Sequence, residues 1–277
     1  MQMSDARPMR NTVLILSYDG THYHGWQSQK NALSIQDVLQ NCIRNTIGVP
    51  VIRGLYGCGR TDAGVHALNY VANFQSRMTV PAERLPLALN AHLPPDIRIR
   101  AALDAASDFH SRFSCTKKEY LYRMFIGPHM DPFRRDFALH VPEAPDVSAM
   151  QTAAALFEGT HDFSAFRNMG SVVRDPVRTI FRCTVEPKGD EIHLRVSADG
   201  FLYNMVRVIA GTLLAVGKGK LSADCIPGLL EGRCRAESGM TAPPHGLYLD
   251  RIWYDAYDFA PHESIPSGIL TGGTHAN

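Results

Sequence analysis

The sequence predicts an α+β fold of two similar domains, each with a mostly antiparallel sheet and helices on one side. Apolar segments of strand and helix period occur in mixed order rather than as a strict strand–helix repeat. The 277 residues, 45% of them hydrophobic, are enough for one large or two ordinary domains. We place the domains at residues 11–108 and 109–260, before a flexible tail at 261–277. Two such sheets side by side would form a concave cleft for a large, folded ligand.

The first domain is predicted to open with a strand and an amphipathic helix. Thr12–Tyr18 is apolar and β-prone, and it ends at the turn signal Asp19-Gly20. Ser34 can cap a helix whose apolar residues recur at helical spacing until Gly48. The remaining elements are strands at Val51–Tyr56 and around Tyr70–Phe74, a helix opened by Pro81, and a strand through Ile97, Ile99, Ala101 and Leu103.

The second domain is predicted from the same two kinds of pattern. A long strand starts near Cys115 and places Tyr120, Tyr122 and Met124 on one face. The remaining elements are a helix at about 147–158, a hairpin of strands 179–185 and 191–197 with its turn at 187–190, a largely buried helix at 201–216, a short helix from Ser222, and a closing strand at Leu247–Tyr254.

Composition and charge exclude several classes of function. With 28 basic and 27 acidic side chains, the formal net charge of +1 gives no global attraction to a polyanion, so any nucleic-acid surface must be local. No segment reads as a membrane span or an amino-terminal signal, which favours a cytoplasmic protein. Neither the six scattered cysteines nor the isolated histidines have metal-site spacing, so we expect no metal and no disulfide framework.

The segment Gly57–His66 is the densest candidate for chemistry. It is a loop between two predicted strands, and it places Asp62 beside Arg60. A guanidinium within a few ångströms would favour the ionised carboxylate, which could then act as a nucleophile or base. The alternative is that Asp62 only hydrogen-bonds its own turn. The glycines fit neither a phosphate-binding P-loop nor a dinucleotide-binding fingerprint, so no nucleotide cofactor is indicated.

Two further segments carry chemistry-bearing residues. Lys117 and Lys118 precede Tyr120 on a strand, a pattern that can stack a nucleobase on the aromatic ring while the lysines hold phosphate. The alternative is a half-buried sheet edge with solvated lysines. Arg207 interrupts an otherwise apolar helix and needs an anionic partner. That partner could be Asp62, or the arginine could form a structural ion pair elsewhere.

Together these segments resemble the tRNA pseudouridine synthase A family, also called TruA. The resemblance covers most of the chain and includes Gly-Arg-Thr-Asp-Ala-Gly-Val-His at residues 59–66, which is highly specific for the family. The other matching motifs, in the expected order, are Tyr18-Asp19-Gly20, Gly25-Trp26-Gln27, residues 109–114, residues 162–166, and Gly246-Leu247-Tyr248.

The resemblance implies a function and four site residues. Asp62 corresponds to the catalytic aspartate, Arg60 to its neighbouring arginine, Tyr120 to the base-stacking tyrosine, and Arg207 to the arginine paired with the aspartate. It also implies a cofactor-free isomerase that acts as a homodimer on one tRNA. The expected substrates are uridines 38, 39 and 40 of the anticodon stem-loop, reached by base flipping in an RNA-binding cleft.

Three other functions compete with this one. A pseudouridine synthase for another RNA would share the same chemistry, because substrate choice resides in the surrounding surface. A protein that binds or folds RNA without turnover could use the basic and aromatic strand alone. A small-molecule enzyme that binds phosphate on the glycine loop has little support, since no lysine follows the glycines.

Overall fold

The computed structural model describes residues 8–48, 53–168, 175–232, 235–255 and 257. The strands of this part are β1 (Arg10–Tyr18), β2 (Arg53–Gly57), β3 (His66–Ser76), β4 (Ile97–Ala105), β5 (Cys115–Ile126), β6 (Leu139–Val141), β7 (Gly159–Asp162), β8 (Val177–Lys188), β9 (Glu191–Ala198) and β10 (Leu247–Tyr254). Its α-helices are α1 (Ile35–Ile47), α2 (Leu85–Asn90), α3 (Val147–Ala155), α4 (Met205–Gly217) and α5 (Cys225–Leu230). The predicted α+β class is confirmed, and the tail at 261–277 lies outside the described residues.

The strands of the two halves form one sheet with the order β4-β1-β3-β10-β5-β9-β8-β7, while β2 pairs with β3 and β6 with β5. The halves meet where β10 runs parallel to β3, with Tyr248 opposite His66 and Leu249 opposite Ala67. Apart from this seam and the parallel β5–β6 pair, the ladders are antiparallel. The sheets therefore lie side by side as predicted, but they are continuous. The domain division at residue 108 stays a prediction.

Helix α1 forms because its sequence specifies both of its ends. The Ser34 side chain accepts a hydrogen bond from the Asp37 backbone N–H, which satisfies a donor that the first turn leaves free. Gly48 adopts a left-handed conformation (φ 64°) and closes the last turn, where a side chain would be strained. Ile35, Leu39 and Ile43 recur on one face and are fully buried.

Helix α4 begins later than the sequence predicts. We expected it to start at Phe201, but its first residue is Met205. Asn204 precedes the helix in a left-handed conformation (φ 61°), which ends any helix that would run through it. Because the helix starts at Met205, residues 201–204 line a cavity and do not form a buried helical turn.

The other differences from the predicted elements are small. Helix α3 ends at Ala155 rather than 158, and the β8–β9 hairpin turns at Gly189-Asp190, so Pro187 lies within a strand. The apolar pattern did not predict the short strands β6 and β7. The first residues of the strand expected at Val51 lie outside the described part of the chain. Within that part, no helix is long and apolar enough to span a membrane.

Candidate active site

A cavity of about 1050 Å³ opens where the two halves of the sheet meet. This volume is slightly above the roughly 300–1,000 Å³ typical of ligand sites. The β2–β3 loop lines it with Arg60 and Asp62, strand β5 with Lys118 and Tyr120, and the segment before α4 with Phe201 to Asn204. Four predicted site residues from two distant segments of the sequence therefore share one cavity.

Hydrogen bonds from β1 and from the segment that follows it hold the loop that carries Asp62. The buried hydroxyls of Tyr18 and Thr61 lie 2.8 Å apart in a hydrogen bond. The Gly64 N–H donates to the Tyr23 carbonyl at 3.1 Å. A position held by several hydrogen bonds is preorganised, and this limits the reorientation of Asp62 during a reaction.

Gly25 allows the β1 turn to approach this loop closely. Its φ is +80°, and a Cβ added there would lie 2.1 Å from the Thr61 carbonyl oxygen. A carbon and an oxygen atom at this distance would clash sterically, so only glycine fits this conformation and this space. The Gly25-Trp26-Gln27 motif thus supports the loop that carries Asp62.

Arg207, the third residue of α4, lies against Asp62. One of its Nη atoms is 3.6 Å from an Asp62 carboxylate oxygen, and both side chains are mostly shielded from solvent. The Arg207 Nε donates to the Ala242 carbonyl at 2.7 Å, and its Nη1 donates to the Asn204 side-chain oxygen at 2.6 Å. The sequence left open whether Arg207 pairs with Asp62 or with another residue, and in the structure its anionic partner is Asp62.

The charge of Asp62 depends on two opposed effects. Burial raises the pKa of the carboxyl above its ordinary value, because a buried charge loses hydration. The charge of Arg207 acts in the opposite direction and favours the ionised form. The prediction that Arg60 would lower this pKa is wrong: Arg60 is exposed and forms no ion pair with Asp62 in the described structure.

Tyr120 presents a buried aromatic ring to the cavity. It is 9% exposed, and its ring meets Phe201 edge-on at a centroid distance of 5.0 Å. Burial raises the pKa of its hydroxyl far above the ordinary value, so the group stays protonated near neutral pH. The hydroxyl can therefore donate a hydrogen bond, and the ring can contact a planar ligand.

The two lysines of β5 differ in position. Lys118 lines the cavity, and its Nζ lies close to Gly59, with 3.3 Å to a Cβ built there. Lys117 does not line the cavity, because its Nζ lies 3.9 Å from the ring centroid of Trp253 in a cation–π contact. Successive strand residues point to opposite faces, so one lysine reaches the site and its neighbour does not.

Several residues that support the site were not predicted. Asn204 holds Arg207 through its side chain, and the Ala242 carbonyl accepts from the same guanidinium. Asn204 stands three residues before Arg207, a helix-start position for an amide side chain, and this spacing was the available signal. The Ala242 contact had no signal, since it joins residues 35 apart.

Comparison with known proteins identifies the family. The sequence profile of a family described as tRNA pseudouridine synthase matches residues 14–114 and 153–255. The chain belongs to this family. Arg60, Asp62 and Arg207 lie within the matched ranges, whereas Lys117, Lys118 and Tyr120 lie between them.

Individual relatives agree with this assignment. They are named tRNA pseudouridine synthase A, which is the family of isomerases that the motifs indicated. The chain is 45% identical to one from Thermoanaerobacter sp. (strain X514) and 46% identical to one from Acetivibrio thermocellus, each over 246 residues. Each alignment covers 89% of this chain and the full length of the relative. A chain of the solved structure "Crystal Structure of a Cbf5-Nop10-Gar1 Complex" is 16% identical, with a TM-score of 0.32 over 77% of this chain and 44% of that one, too distant to support an argument.

Proposed function

We propose that this chain converts uridine to pseudouridine in the anticodon stem-loop of tRNA, at positions 38, 39 and 40. The observation that carries the proposal is the ion pair of Arg207 with Asp62, whose carboxylate lines the same cavity as Tyr120. A carboxylate, its counter-ion and an aromatic ring are the groups that this rearrangement needs. Membership of the tRNA pseudouridine synthase family supports the reaction class.

The reaction breaks the N1–C1′ glycosidic bond, rotates the freed uracil and joins C5 to C1′. The C5 proton is released and N1 takes up a proton, so the product is an isomer of uridine. The nucleoside undergoes no net oxidation or reduction. Asp62 would act as an ionised carboxylate by one of three routes: attack at C1′, attack at C6 of the ring, or removal of a ribose proton to give a glycal. Arg207 stabilises that carboxylate in each route.

Each remaining site residue has a proposed contact with RNA. Extruding the target nucleotide costs a few kcal/mol of unstacking, which contacts in the cavity must offset. Tyr120 would stack on the extruded base, and the exposed Arg60 would contact RNA at the cavity mouth. Lys118 would hold a phosphate, while Lys117 could touch only RNA that extends beyond the cavity.

We further propose that the protein is cytoplasmic, needs no small-molecule cofactor and works as a homodimer that binds one tRNA across both subunits. Light scattering of the protein alone and with tRNA tests the assembly. A mass of two chains with one tRNA supports it, and one chain per tRNA contradicts it.

The test of catalysis is tritium release from tRNA labelled at uridine C5, because that proton must leave when pseudouridine forms. We expect release by the wild type, none by Asp62→Asn, and retained tRNA binding by that variant. Glu143→Gln is the matched control, since it removes an exposed carboxylate outside the cavity. Near-normal turnover by Asp62→Asn would refute the catalytic assignment.

The position of the modification needs a separate readout. We expect pseudouridine only at positions 38, 39 and 40 when the products are mapped. Modification of a different RNA, but not of tRNA, would favour a synthase with another substrate. Binding without release by the wild type would favour an RNA-binding protein without turnover.

A further inference from the structure

Three aromatic rings in the lining of the cavity lie one against the next, with planes tilted by 36° and 40°. The ring of Tyr56 lies 4.6 Å from that of His110, and His110 lies 4.5 Å from Phe113. The guanidinium carbon of Arg112 lies 5.5 Å from the Phe113 centroid. All four residues line the cavity, and we call them the rim stack.

The rim stack is exposed to a degree that needs a physical reason. Phe113 is 76% exposed and Tyr56 is 39% exposed. Burying one such side chain is worth about 1.5–3 kcal/mol, so a contiguous set of uncovered rings marks a surface that can gain energy by being covered.

The backbone beneath the rim stack is held firmly. Ser111 is fully buried; its hydroxyl donates to the Tyr56 carbonyl at 2.8 Å, and its N–H donates to the Asn73 side chain at 2.9 Å. The His110 N–H donates to the Ser114 hydroxyl at 3.1 Å. The backbone that carries the rings is therefore held in place before any ligand arrives, which reduces the entropy lost on binding.

The ring of His110 is neutral in this arrangement. Its Nδ1 accepts a hydrogen bond from the Arg112 backbone N–H at 3.1 Å, and only a nitrogen without a proton can accept one. Burial, and to a lesser extent the charge of Arg112, lowers the pKa of this histidine. It packs between Tyr56 and Phe113 as an uncharged aromatic ring.

The charges around the cavity favour an anionic ligand. Arg60, Arg112 and Lys118 line it, and Asp62 is the sole acidic residue among the lining residues that the structure describes. This local excess contrasts with the net charge of +1 for the whole chain. A nucleotide meets both requirements, since its base is planar and its phosphate is anionic.

We propose that the rim stack is a second base-binding site, in which Phe113 stacks on an unpaired nucleobase beside the flipped uridine in the same RNA strand. Arg112 contacts the phosphate of that nucleotide. This proposal rests on the proposed function and extends it, because the site in which Asp62 and Tyr120 lie receives the target, and the rim stack receives a neighbour. Two stacked bases would hold the splayed strand at two points in the cavity.

The first experiment measures the affinity of a fluorescent anticodon stem-loop RNA for three variants. Removing a base-stacking ring costs roughly 1–3 kcal/mol, so Phe113→Ala should raise Kd about tenfold. Phe113→Trp should bind like the wild type, and its added indole fluorescence should be quenched by RNA. Phe133→Ala, an 86% exposed ring outside the cavity, is the matched control and should leave Kd unchanged.

An abasic substitution identifies the stacked base. Removing the base of one nucleotide next to the target should weaken wild-type binding about tenfold. The same removal should cost Phe113→Ala almost nothing, because the ring that it would have met is already absent. Additive losses at every neighbouring position would overturn the proposal.

The remaining outcomes are distinguishable. Unchanged Kd for Phe113→Ala overturns the rim-stack proposal and leaves the proposed function untouched. A fall in oligomeric mass for Phe113→Ala, with unchanged affinity per assembled unit, would show that a second copy of the chain covers the ring. If the wild type releases no tritium but the coupled loss of affinity persists, the proposed reaction fails and the base site stands.

Discussion

The ion pair between Asp62 and Arg207 controls when the site carries a reactive carboxylate. Burial raises the pKa of Asp62 and Arg207 opposes that rise, so removing the arginine should raise this pKa further. The reaction needs the ionised form, which is populated only above the pKa. We expect the acidic limb of the single-turnover rate profile to move to higher pH in Arg207→Gln, with the largest loss of activity at low pH.

Two variants separate charge from position. Arg207→Lys keeps a cation near Asp62 but loses the paired contacts with Asn204 and Ala242, so its acidic limb should move less than that of Arg207→Gln. Arg60→Gln should leave the limb in place, because Arg60 forms no ion pair with Asp62 in the described structure. An equal shift in Arg60→Gln and Arg207→Gln would contradict this assignment of the charges.

The sequence pointed to Asp62, Arg207 and Tyr120, which the structure brings together, but not to the groups that hold them. Asp62 and Arg207 were candidates because a carboxylate in a glycine-rich loop and a cation in an apolar helix each break a local pattern, and the family resemblance supplied their expected roles. The predicted effect of Arg60 on the pKa of Asp62 was wrong, because closeness in sequence does not determine the direction in which a side chain points. The Ala242 carbonyl could not be predicted, since its contact depends on how two distant segments pack.

Helices and strands were predicted accurately where residues close in sequence specify their ends. Helix α1 was predicted to the residue because Ser34 and Gly48 define its two ends within the local sequence. The start of α4 was wrong by four residues because the apolar pattern continues through Phe201 and Leu202 while Asn204 leaves helical conformation. The short strands β6 and β7 depend on partners distant in sequence, so no local periodicity could reveal them.

The contact between the β1 turn and the Asp62 loop should be essential to activity. Gly25→Ala adds a side chain at positive φ and forces it against the Thr61 carbonyl. We expect a loss of stability well above that of backbone strain alone and a large fall in the rate of pseudouridine formation. Thermal unfolding and single-turnover tritium release measure the two effects.

Gly189→Ala provides the matched control for Gly25→Ala. Gly189 also has positive φ (+63°), but a Cβ added there meets nothing within 4 Å. Its substitution should cost about 1–2 kcal/mol from strain and leave the rate unchanged. Equal losses of stability and rate in the two variants would mean that the close approach of Gly25 to the loop has no role of its own.

At the scale of the whole molecule, the seam between β3 and β10 joins the two halves through more than its short ladder. His66 stacks on Tyr248 at 4.7 Å, and the Asn69 side chain donates to the Asp250 carbonyl at 2.8 Å. Most of the buried apolar residues that the structure describes belong to one cluster, which runs from Val13 to Tyr254. Asp62 lies in one half and Arg207 in the other, so the geometry of their ion pair depends on this seam.

We therefore expect the two halves to unfold together. The chain has two tryptophans, Trp26 in the first half and Trp253 in β10, so Trp26→Phe and Trp253→Phe each leave one reporter. Within each variant, the fluorescence midpoint should coincide with the circular-dichroism midpoint, as a single cooperative transition requires. If either tryptophan reported an earlier, separate transition, the halves would be independent domains. The Asp62–Arg207 pair would then be lost before the rest of the fold, because breaking the seam separates its two members.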